Sequence, residues 1–240
     1  MDRRIDYVVL NRSLDPETNG EDWLIRQLPP GPTVIDVGFH QGGFSRRVLK
    51  HRPQARILAF DPSLGARRAW KTHFGKSSPV RFLPVALADR EGIGNFHDSG
   101  DECASLVRRS PGARSSRVRI GRLDRIPEVK ETPVDLLKID AEGFDLNVME
   151  GAARLMRKNW FRIILFEYAD GWAANRRLLA EADVFLKNQG YGLFRLFPEF
   201  LVPFRYQAAE ERFDLGCMFV ALPRAPQPGM RLPVSTDPFV

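Results

Sequence analysis

Short apolar runs alternate with amphipathic stretches along most of the chain. Apolar, often β-branched runs of this length predict buried strands, and the stretches between them, with apolar positions three or four residues apart, predict helices. Strands that alternate with helices are typical of an α/β domain with a parallel sheet. The predicted strands cover residues 33–37, 56–60, 80–87, 134–140, 161–167, 191–197 and 213–222.

The order of these elements predicts one doubly wound domain. Residues 33–85 read strand, helix, strand, helix, strand, which is half of such a sheet. We therefore predict a single α/β domain over residues 33–222, in a chain of 240 residues that can bury a sizeable core. Residues 1–32 form an N-terminal helical extension, which lies either over the ligand cleft or against a sheet edge. Residues 223–240 form a proline-rich, extended tail.

The least regular part of the domain is residues 88–132. We expect a short strand at residues 91–97 and a long loop at residues 100–116. Arginines are concentrated in and after this loop, and they predict either a site for an anionic acceptor, which Arg binds in bidentate fashion, or a solvated, mobile loop. The mobile loop is the preferred interpretation. The arginines are Arg108, Arg109, Arg114, Arg117, Arg119, Arg122 and Arg125.

A glycine-containing turn follows the first predicted strand. The chain breaks at Gly38, and Gly42 and Gly43 precede a helical pattern. Strand, glycine loop and helix in this order are typical of a nucleotide-binding turn, because glycine permits a sharp bend and a close approach of the backbone to a ligand. An ordinary strand-to-helix turn is the alternative.

An acidic residue ends the second predicted strand. Asp61 lies 23 positions after Gly38, close to the distance at which a carboxylate meets ribose hydroxyls in a βαβ unit. It is also a candidate N-cap for a helix that begins with Pro62, and both roles are compatible. The dinucleotide pattern G-x-G-x-x-G is absent, and the wider loop with His40 and Gln41 suits an adenosine ligand without a pyrophosphate. We therefore predict S-adenosylmethionine as the cofactor.

Several predicted strands end in acidic residues. Ligands bind beyond the carboxyl ends of strands in open α/β sheets, so the repetition predicts a polar site at that edge. Lys138 is unusual within an apolar strand, and it shares a face with Asp140 because side chains alternate along a strand. A structural ion pair of Lys138 with Asp140 or Asp135 is the alternative to a functional role. The acids at the strand ends are Asp36, Asp61, Asp140 with Glu142, and Glu167.

Five motifs between about residues 33 and 167, with Leu137-Lys138-Ile139-Asp140-Ala141-Glu142-Gly143 the most specific, resemble those of the FkbM-type methyltransferases. At position 40 the commoner residue of that family is Asn, and His stands here. The resemblance implies a Rossmann-like class I fold, with a mostly parallel seven-stranded sheet and an antiparallel last strand, and methyl transfer, usually to a hydroxyl oxygen. The matching motifs are Asp36-Val37-Gly38-x-His40-x-Gly42, Phe60-Asp61-Pro62, Ala86-Leu87-Ala88-Asp89, Leu137-Lys138-Ile139-Asp140-Ala141-Glu142-Gly143 and Met149-Glu150-Gly151-Ala152.

The resemblance also implies roles for individual residues. We expect Asp140 or Glu142 to accept the proton of the acceptor hydroxyl, with Lys138 orienting the acceptor or stabilising its oxyanion; Lys138, if burial depresses its pKa, or His40 is an alternative base. No metal is expected, although oxygen ligands could hold Mg²⁺. The predicted catalytic residues are Lys138, Asp140, Glu142 and Glu167. The predicted cofactor-binding residues are Asp36, Gly38, His40, Gly42, Asp61, Ala86 and Asp140.

Composition narrows the class of protein further. The net charge of +6 is compatible with an acidic partner, but scattered surface arginines explain it equally well. Cys103 and Cys217 show no metal or disulfide spacing, and no apolar stretch is long enough to span a membrane, so we expect a cytoplasmic protein. The expected partner is a small-molecule or glycan acceptor, and the oligomeric state is open.

Three other functions stay open at this point. A nucleotide-dependent oxidoreductase is disfavoured by the missing G-x-G-x-x-G pattern. A nucleic-acid methyltransferase is disfavoured because Asp140-Ala141-Glu142-Gly143 stands where an Asp/Asn-Pro-Pro-Tyr motif is expected. A non-catalytic S-adenosylmethionine-binding relative is the third.

Overall fold

The computed structural model of the chain describes residues 11, 15–75, 77–98, 105–106, 114–211, 213, 216–225 and 232–235. Its strands are β1 (Thr33–Val37), β2 (Arg56–Phe60), β3 (Val80–Leu83), β4 (Ala86–Leu87), β5 (Gly92–Asp98), β6 (Arg114–Gly121), β7 (Val134–Ile139), β8 (Phe161–Tyr168), β9 (Tyr191–Leu196), β10 (Leu201–Pro203) and β11 (Cys217–Pro223). Its α-helices are α1 (Glu21–Arg26), α2 (Gly43–His51), α3 (Leu64–His73), α4 (Asp145–Gly151), α5 (Ala153–Met156), α6 (Asp170–Ala174) and α7 (Leu179–Asn188).

The main sheet has the strand order β10-β9-β11-β8-β7-β1-β2-β3. Strands β3, β2, β1, β7 and β8 run parallel, and β11 lies antiparallel between β8 and β9. The predicted α/β class and the mostly parallel sheet with an antiparallel last strand are therefore confirmed. The described sheet has eight strands rather than the predicted seven, because β10 forms a hairpin with β9.

A second, three-stranded sheet lies beside the main one, with the order β4-β6-β5. The predicted third strand at residues 80–87 is divided into β3 and β4 around Pro84, which has no backbone N–H to donate to a sheet. The strand predicted at residues 91–97 corresponds to β5. The predicted loop at residues 100–116 ends earlier than expected, since β6 begins at Arg114; most of that loop lies outside the described residues.

The apolar positions of residues 173–189 predict one long helix, but the structure has two helices here, α6 and α7. Between them Arg176 has a φ of 55°, in the left-handed region, which ends a right-handed helix. Helix α1 confirms the predicted N-terminal helix. The three-part division of the chain that the sequence suggests stays a prediction.

Both faces of the main sheet are covered by helices, and its central strands are almost entirely buried. The exposed fraction of Leu136, Leu137 and Ile139 in β7 is zero. This agrees with the continuous apolar runs expected of parallel strands that are covered on both faces. Among the described residues, the helices are all too short or too polar to cross a membrane. The cytoplasmic location stays a prediction.

Candidate functional site

A cleft of about 400 Å³ opens at the carboxyl ends of β2, β1, β7 and β8, four strands that are neighbours in the sheet. This is the edge at which ligands bind in open α/β sheets. The sheet order therefore brings together the acids that the sequence places at separate strand ends. The cleft is lined by, among others, Gly38, His40, Asp61, Lys138, Asp140, Glu142 and Glu167.

The first turn, residues 38–43, is shaped by its glycines. Gly38 has a φ of 79°, and a Cβ there would lie 1.8 Å from the backbone oxygen of Asp140. Gly42 has a φ of 74°, and a Cβ there would meet the ring of Phe39 at 2.6 Å. Only glycine fits positions where both the conformation and the space are this restricted.

His40 also adopts a left-handed conformation in the first turn, with a φ of 49°. Among non-glycine residues, Asn, Asp and His are the ones enriched in this region. The exchange of the family's commoner Asn for His is therefore compatible with the conformation of the turn. The side chain of His40 is exposed at the mouth of the cleft.

Asp61 fixes the first turn from the neighbouring strand. One of its carboxylate oxygens accepts the backbone N–H of His40 at 2.9 Å, and the other accepts that of Ser63 at 2.8 Å. Burial raises the pKa of Asp61, against the effect of these hydrogen bonds. The predicted N-cap role of Asp61 is wrong, because the N-cap of α3 is Ser63, whose Oγ accepts the N–H of Ala66.

A narrow apolar slot of about 50 Å³ extends from the cleft beside Asp61. It lies between the ends of β1 and β2 and the start of β4, and Ala86, one of the predicted cofactor-binding residues, is in its wall. The slot can take a flat, apolar ring, since most of its lining is hydrophobic. Its apolar lining residues are Val37, Phe60, Pro62, Val85, Ala86, Leu87, Phe96, Leu106, Ala141 and Phe144.

Asp36 lies below the first turn, and its side chain is completely buried. One of its oxygens accepts the hydroxyl of Ser45 at 2.7 Å, and the other lies 3.6 Å from Nζ of Lys138, its register partner on β7. Burial raises the pKa of Asp36, and the charge of Lys138 opposes that rise. Asp36 thus links β1, α2 and β7 below the cleft.

Lys138 is buried between two carboxylates. Its Nζ lies 3.0 Å from an oxygen of Asp140 and 3.4 Å from the backbone oxygen of Gly38. Burial alone would lower the pKa of Lys138, but the carboxylates of Asp140 and Asp36 outweigh burial and raise it. The condition under which Lys138 could act as the base, a pKa lowered by burial, is therefore not met.

The Lys138–Asp135 ion pair that the sequence allows does not form. Asp135 instead accepts the backbone N–H of Thr33 at 2.9 Å and pairs with Arg162. The Lys138–Asp140 pair does form, so the alternation of side chains along β7 predicts the correct partner.

The second turn, residues 140–144, carries the acids beyond β7. Glu142 and Gly143 have φ values of 52° and 95°. The buried carboxylate of Asp145 accepts the backbone N–H groups of Ala141 at 3.2 Å and Gly143 at 3.1 Å. Burial, followed by the charge of Asp140, raises the pKa of Asp145 to about 7. The position of Asp145 in the first turn of a helix is the one sequence signal for this anchor.

Two more side chains hold the second turn from distant elements. The hydroxyl of Ser105 donates to the backbone oxygen of Glu142 at 2.9 Å, and the amide of Asn175 donates to that of Gly143 at 2.8 Å. Ser105 precedes β6 and Asn175 follows α6, and no local pattern in the sequence signals either contact. Sequence reasoning missed both residues for this reason.

Glu167 lies in the inner wall of the cleft, next to the acids of the second turn. Burial raises the pKa of Glu167 to about 9, and the negative charges of Asp140, Glu142 and Asp145 act in the same direction. At neutral pH Glu167 therefore carries a proton, which makes it a donor rather than an acceptor of hydrogen bonds. Within the part of the chain that the structure describes, no three His, Cys, Asp or Glu side chains are placed to share a metal ion.

The arginine-rich segment is distributed over several environments. Arg114, Arg117 and Arg119 are exposed on β6, whereas Arg122 pairs with Asp124 at 2.7 Å and donates to the backbone of Asp89. Arg108 and Arg109 lie outside the described residues, so the mobile loop expected there stays a prediction. None of the five described arginines lines the cleft.

The cleft and the slot together fit an adenosine ligand with a polar tail. The slot provides apolar surface, Asp61 provides carboxylate oxygens at the slot entrance, and Gly38 lines both the slot and the cleft. The polar groups of the cleft include oxygen acceptors and one buried cation, Lys138. These groups match the cofactor predicted from the sequence, S-adenosylmethionine.

Comparisons with known proteins agree with this arrangement. The chain is 29% identical over 159 residues to 2-O-methyltransferase NoeI of Sinorhizobium fredii, a match that spans 59% of this chain and 65% of NoeI. It is 24% identical over 208 residues to methyltransferase sdnD of Sordaria araneosa, spanning 71% of this chain and 78% of sdnD. A match of 28% identity to the AMB antimetabolite synthetase AmbE of Pseudomonas aeruginosa spans 62% of this chain but 9% of AmbE.

The fold is shared with a solved methyltransferase. The plantazolicin methyltransferase BpumL, solved with a monoazolic desmethylPZN analog and SAH, superimposes with a TM-score of 0.50 at 12% identity, over 92% of this chain and 88% of BpumL. The profile of the methyltransferase FkbM domain matches residues 36–193, well over half of the chain. The resemblance seen in the motifs is thereby confirmed. The chain belongs to the FkbM family of S-adenosylmethionine-dependent methyltransferases.

Proposed function

We propose that this protein transfers a methyl group to a hydroxyl oxygen of a small-molecule acceptor, such as a sugar, a polyketide or another natural product. The observation that carries the proposal is the carboxylate of Asp140. Its side chain is 34% exposed in the cleft, and the ammonium that orients it, Lys138, is 7% exposed. A carboxylate that is oriented by a buried ammonium and is partly exposed in the cleft is suited to accept a hydroxyl proton.

The two oxygens of Asp140 have different surroundings. Lys138 donates to Oδ2, whereas Oδ1 accepts no hydrogen bond within the described part of the chain. We assign Oδ1 the proton of the acceptor hydroxyl and Lys138 the task of keeping the carboxylate oriented. S-adenosylmethionine, when bound, supplies an electrophilic methyl group. Because Lys138 also contacts the backbone oxygen of Gly38, one side chain positions both the first turn and the proton acceptor.

The sequence predicts Glu167 as a catalytic residue without defining its role. With a pKa near 9, its carboxyl group carries a proton at neutral pH. We assign it a hydrogen bond donated to an oxygen of the acceptor. Glu142, at the positive φ of the second turn, stays an alternative proton acceptor, and His40 is a further candidate at the mouth of the cleft.

Similarity supports an oxygen acceptor without naming the molecule. NoeI is named as a 2-O-methyltransferase, and its match spans 59% of this chain. Family membership favours methyl transfer over the nucleotide-dependent oxidoreductase. A non-catalytic relative is the remaining alternative, and the open oxygen of Asp140 next to a buried cation argues against it.

The test is a methyl-transfer screen with a deuterated methyl donor. Purified protein is incubated with trideuteromethyl-labelled S-adenosylmethionine and panels of saccharides and hydroxylated polyketides, and products are read by mass spectrometry. We expect a gain of one labelled methyl group that fragmentation places on oxygen. Asp140→Asn should lower the single-turnover rate by roughly 10²–10⁴-fold, the size expected for loss of a general base, while S-adenosylhomocysteine binds as before.

Two results would contradict the proposal. Label placed on nitrogen or carbon would show a methyltransferase of another specificity. A wild-type protein that binds S-adenosylhomocysteine but transfers no label to any hydroxylated acceptor or extract would favour the non-catalytic alternative. Asp135→Asn is the matched control, because Asp135 is also a strand carboxylate in an ion pair but lies at the opposite end of the sheet.

A further inference from the structure

The cleft has a charged wall that the motifs do not include. Glu21, the first residue of α1, is 6% exposed, and Arg47 lies on α2; both side chains line the cleft and neither lines the apolar slot. Glu21 precedes the segment matched by the family profile, which begins at residue 36. The two side chains form an ion pair with each other, and Nε of Arg47 also lies 3.2 Å from Asp22.

A chain of buried amides places Glu21 in this wall. Asn11 donates to the backbone oxygens of Asn19 and Leu196, at 2.9 and 2.7 Å. Asn19, whose exposed fraction is zero, donates to Glu21 at 3.0 Å and accepts the backbone N–H of Glu21 at 2.9 Å. Buried polar groups are costly unless they are satisfied, so this chain specifies the position of the carboxylate closely.

The charged wall and the slot are on different sides of β1. The slot lies toward β2 and β4, whereas Gly20, just before Glu21, packs against the backbone of Phe197 after β9. A ligand with its ring in the slot and its ribose at Asp61 therefore passes Gly38 and points its other end at Glu21 and Arg47. A carboxylate beside a guanidinium complements a group with one positive and one negative charge.

We propose that Glu21 and Arg47 bind the amino-acid end of the cofactor, Glu21 its α-ammonium and Arg47 its α-carboxylate. Arg47 has capacity for this contact: Nη2 donates to Glu21, while Nη1 makes no hydrogen bond within the described residues and lies toward Gly43 at the start of α2. The guanidinium is also stacked 5.7 Å from the ring of Phe44, which holds its plane. This inference rests on the proposed function.

The experiment compares two ligands that differ in this end alone. S-adenosylhomocysteine carries the amino-acid group, and 5′-methylthioadenosine lacks it. Isothermal titration of both ligands is carried out on the wild-type protein, Glu21→Gln and Arg47→Met. We expect each variant to bind S-adenosylhomocysteine roughly 10- to 100-fold more weakly, as for loss of charge-assisted hydrogen bonds, and to bind 5′-methylthioadenosine within about twofold of wild type.

A matched control separates binding from stability. Asp183→Asn removes the charge of another buried carboxylate in an ion pair, with Lys187 on α7, away from the cleft. It should change the affinity for neither ligand. If Arg47→Met does not fold, Arg47→Lys keeps the cation and the contact between α1 and α2. We then expect a smaller loss of affinity for S-adenosylhomocysteine, again without a loss for 5′-methylthioadenosine.

Two outcomes would overturn the inference. Equal weakening of both ligands would show that Glu21 and Arg47 only hold α1 against α2, and unchanged affinity for both would remove them from the site. A wild-type protein that binds 5′-methylthioadenosine and S-adenosylhomocysteine equally well would also refute it. A wild-type protein that binds neither ligand would refute the proposed function itself, which distinguishes the two failures.

Discussion

The two turns that build the cleft have similar backbones and different supports. The first turn contains left-handed residues at Gly38, His40 and Gly42, and the second at Glu142 and Gly143. The first turn is held mainly by its own glycines and by one carboxylate, Asp61, at the end of the neighbouring strand. The second turn is held by three side chains, namely Asp145, which directly follows it, and Ser105 and Asn175 from distant parts of the chain.

This difference indicates how each turn can fail. A turn that depends on missing side chains fails through steric overlap, which is severe and local. A turn that depends on several hydrogen bonds loses about 0.5–1.5 kcal/mol for each one removed. Substitution of the glycines in the first turn should therefore be severe, whereas removal of the hydrogen bonds that hold the second turn should weaken it gradually.

The largest effect is expected from Gly38→Ala. The added Cβ would lie 1.8 Å from the backbone oxygen of Asp140, at a φ that disfavours L-residues. This backbone oxygen belongs to the residue that directly follows the central strand β7. We therefore expect a loss of about 3–5 kcal/mol in the free energy of unfolding and no measurable cofactor binding. Urea denaturation and calorimetric titration measure the two quantities.

Substitutions of two other glycines provide comparisons for the stability loss in Gly38→Ala. Gly75→Ala has a similar φ of 72°, but no heavy atom of the described residues lies within 4 Å of the added Cβ, so it should cost only about 1–2 kcal/mol. Gly143→Ala in the second turn meets Gly171 at 2.1 Å, in the short helix α6, and should cost an intermediate amount. If Gly38→Ala lowers the free energy of unfolding no more than Gly75→Ala does, the close packing of Gly38 against the backbone of Asp140 is refuted.

Asp61→Ala tests the one carboxylate that supports the first turn. It removes an acceptor for the backbone N–H of His40 and the proposed contact with ribose. We expect S-adenosylhomocysteine to bind about 1–3 kcal/mol more weakly by calorimetry. Asp135→Ala is the control, because it removes a carboxylate that accepts a backbone N–H outside the cleft. Unchanged affinity in Asp61→Ala would remove Asp61 from the site.

The acids around the second turn predict a dependence of stability on pH. The pKa of Glu167 is raised from 4.5 to about 9 in the folded protein, so the folded state binds this proton more tightly than the unfolded state does. Stability should therefore be greatest below about pH 5 for this group and should decrease as pH rises to about 9, at no more than about 1.4 kcal/mol per pH unit.

Glu167→Gln measures that contribution. The variant cannot ionise, and urea denaturation at pH 6 and at pH 9 should show a smaller difference in unfolding free energy than in the wild type, by about 1 kcal/mol or more. Asp145, with a pKa near 7, acts in the same direction and should leave a residual slope between about pH 4 and 7. An unchanged slope in Glu167→Gln would show that Glu167 is ionised in the folded protein.

The smallest effect is expected from Asn175→Ala. Its amide donates to the backbone oxygen of Gly143 and to Asn147, and both bonds are only part-buried. We expect a loss of about 1 kcal/mol in unfolding free energy and a modest fall in turnover, with cofactor affinity unchanged. Asn188→Ala, an exposed position at the end of α7, should change none of these quantities. A large loss from Asn175→Ala would show that the second turn fails as abruptly as the first.

Local spacing predicted much of the fold and a part of the site. Apolar runs located the strands of the main sheet, apart from β10, because a buried parallel strand needs apolar residues on both faces. Alternation along β7 predicted that Lys138 and Asp140 share a face, and Nζ of Lys138 lies 3.0 Å from Oδ2 of Asp140. The helix at residues 173–189 was mispredicted because apolar periodicity does not reveal the left-handed Arg176 that divides it.

The sequence by itself determined the order of the elements, the glycines of the first turn and the acids at the strand ends. These features depend on backbone conformation and side-chain spacing within a few residues. Only the tertiary structure decided that Asp36 lies opposite Lys138, that Ser105 and Asn175 hold the second turn, and that Glu21 faces Arg47. These contacts join segments far apart in the chain, and the order of strands in the sheet, not local spacing, brings them together.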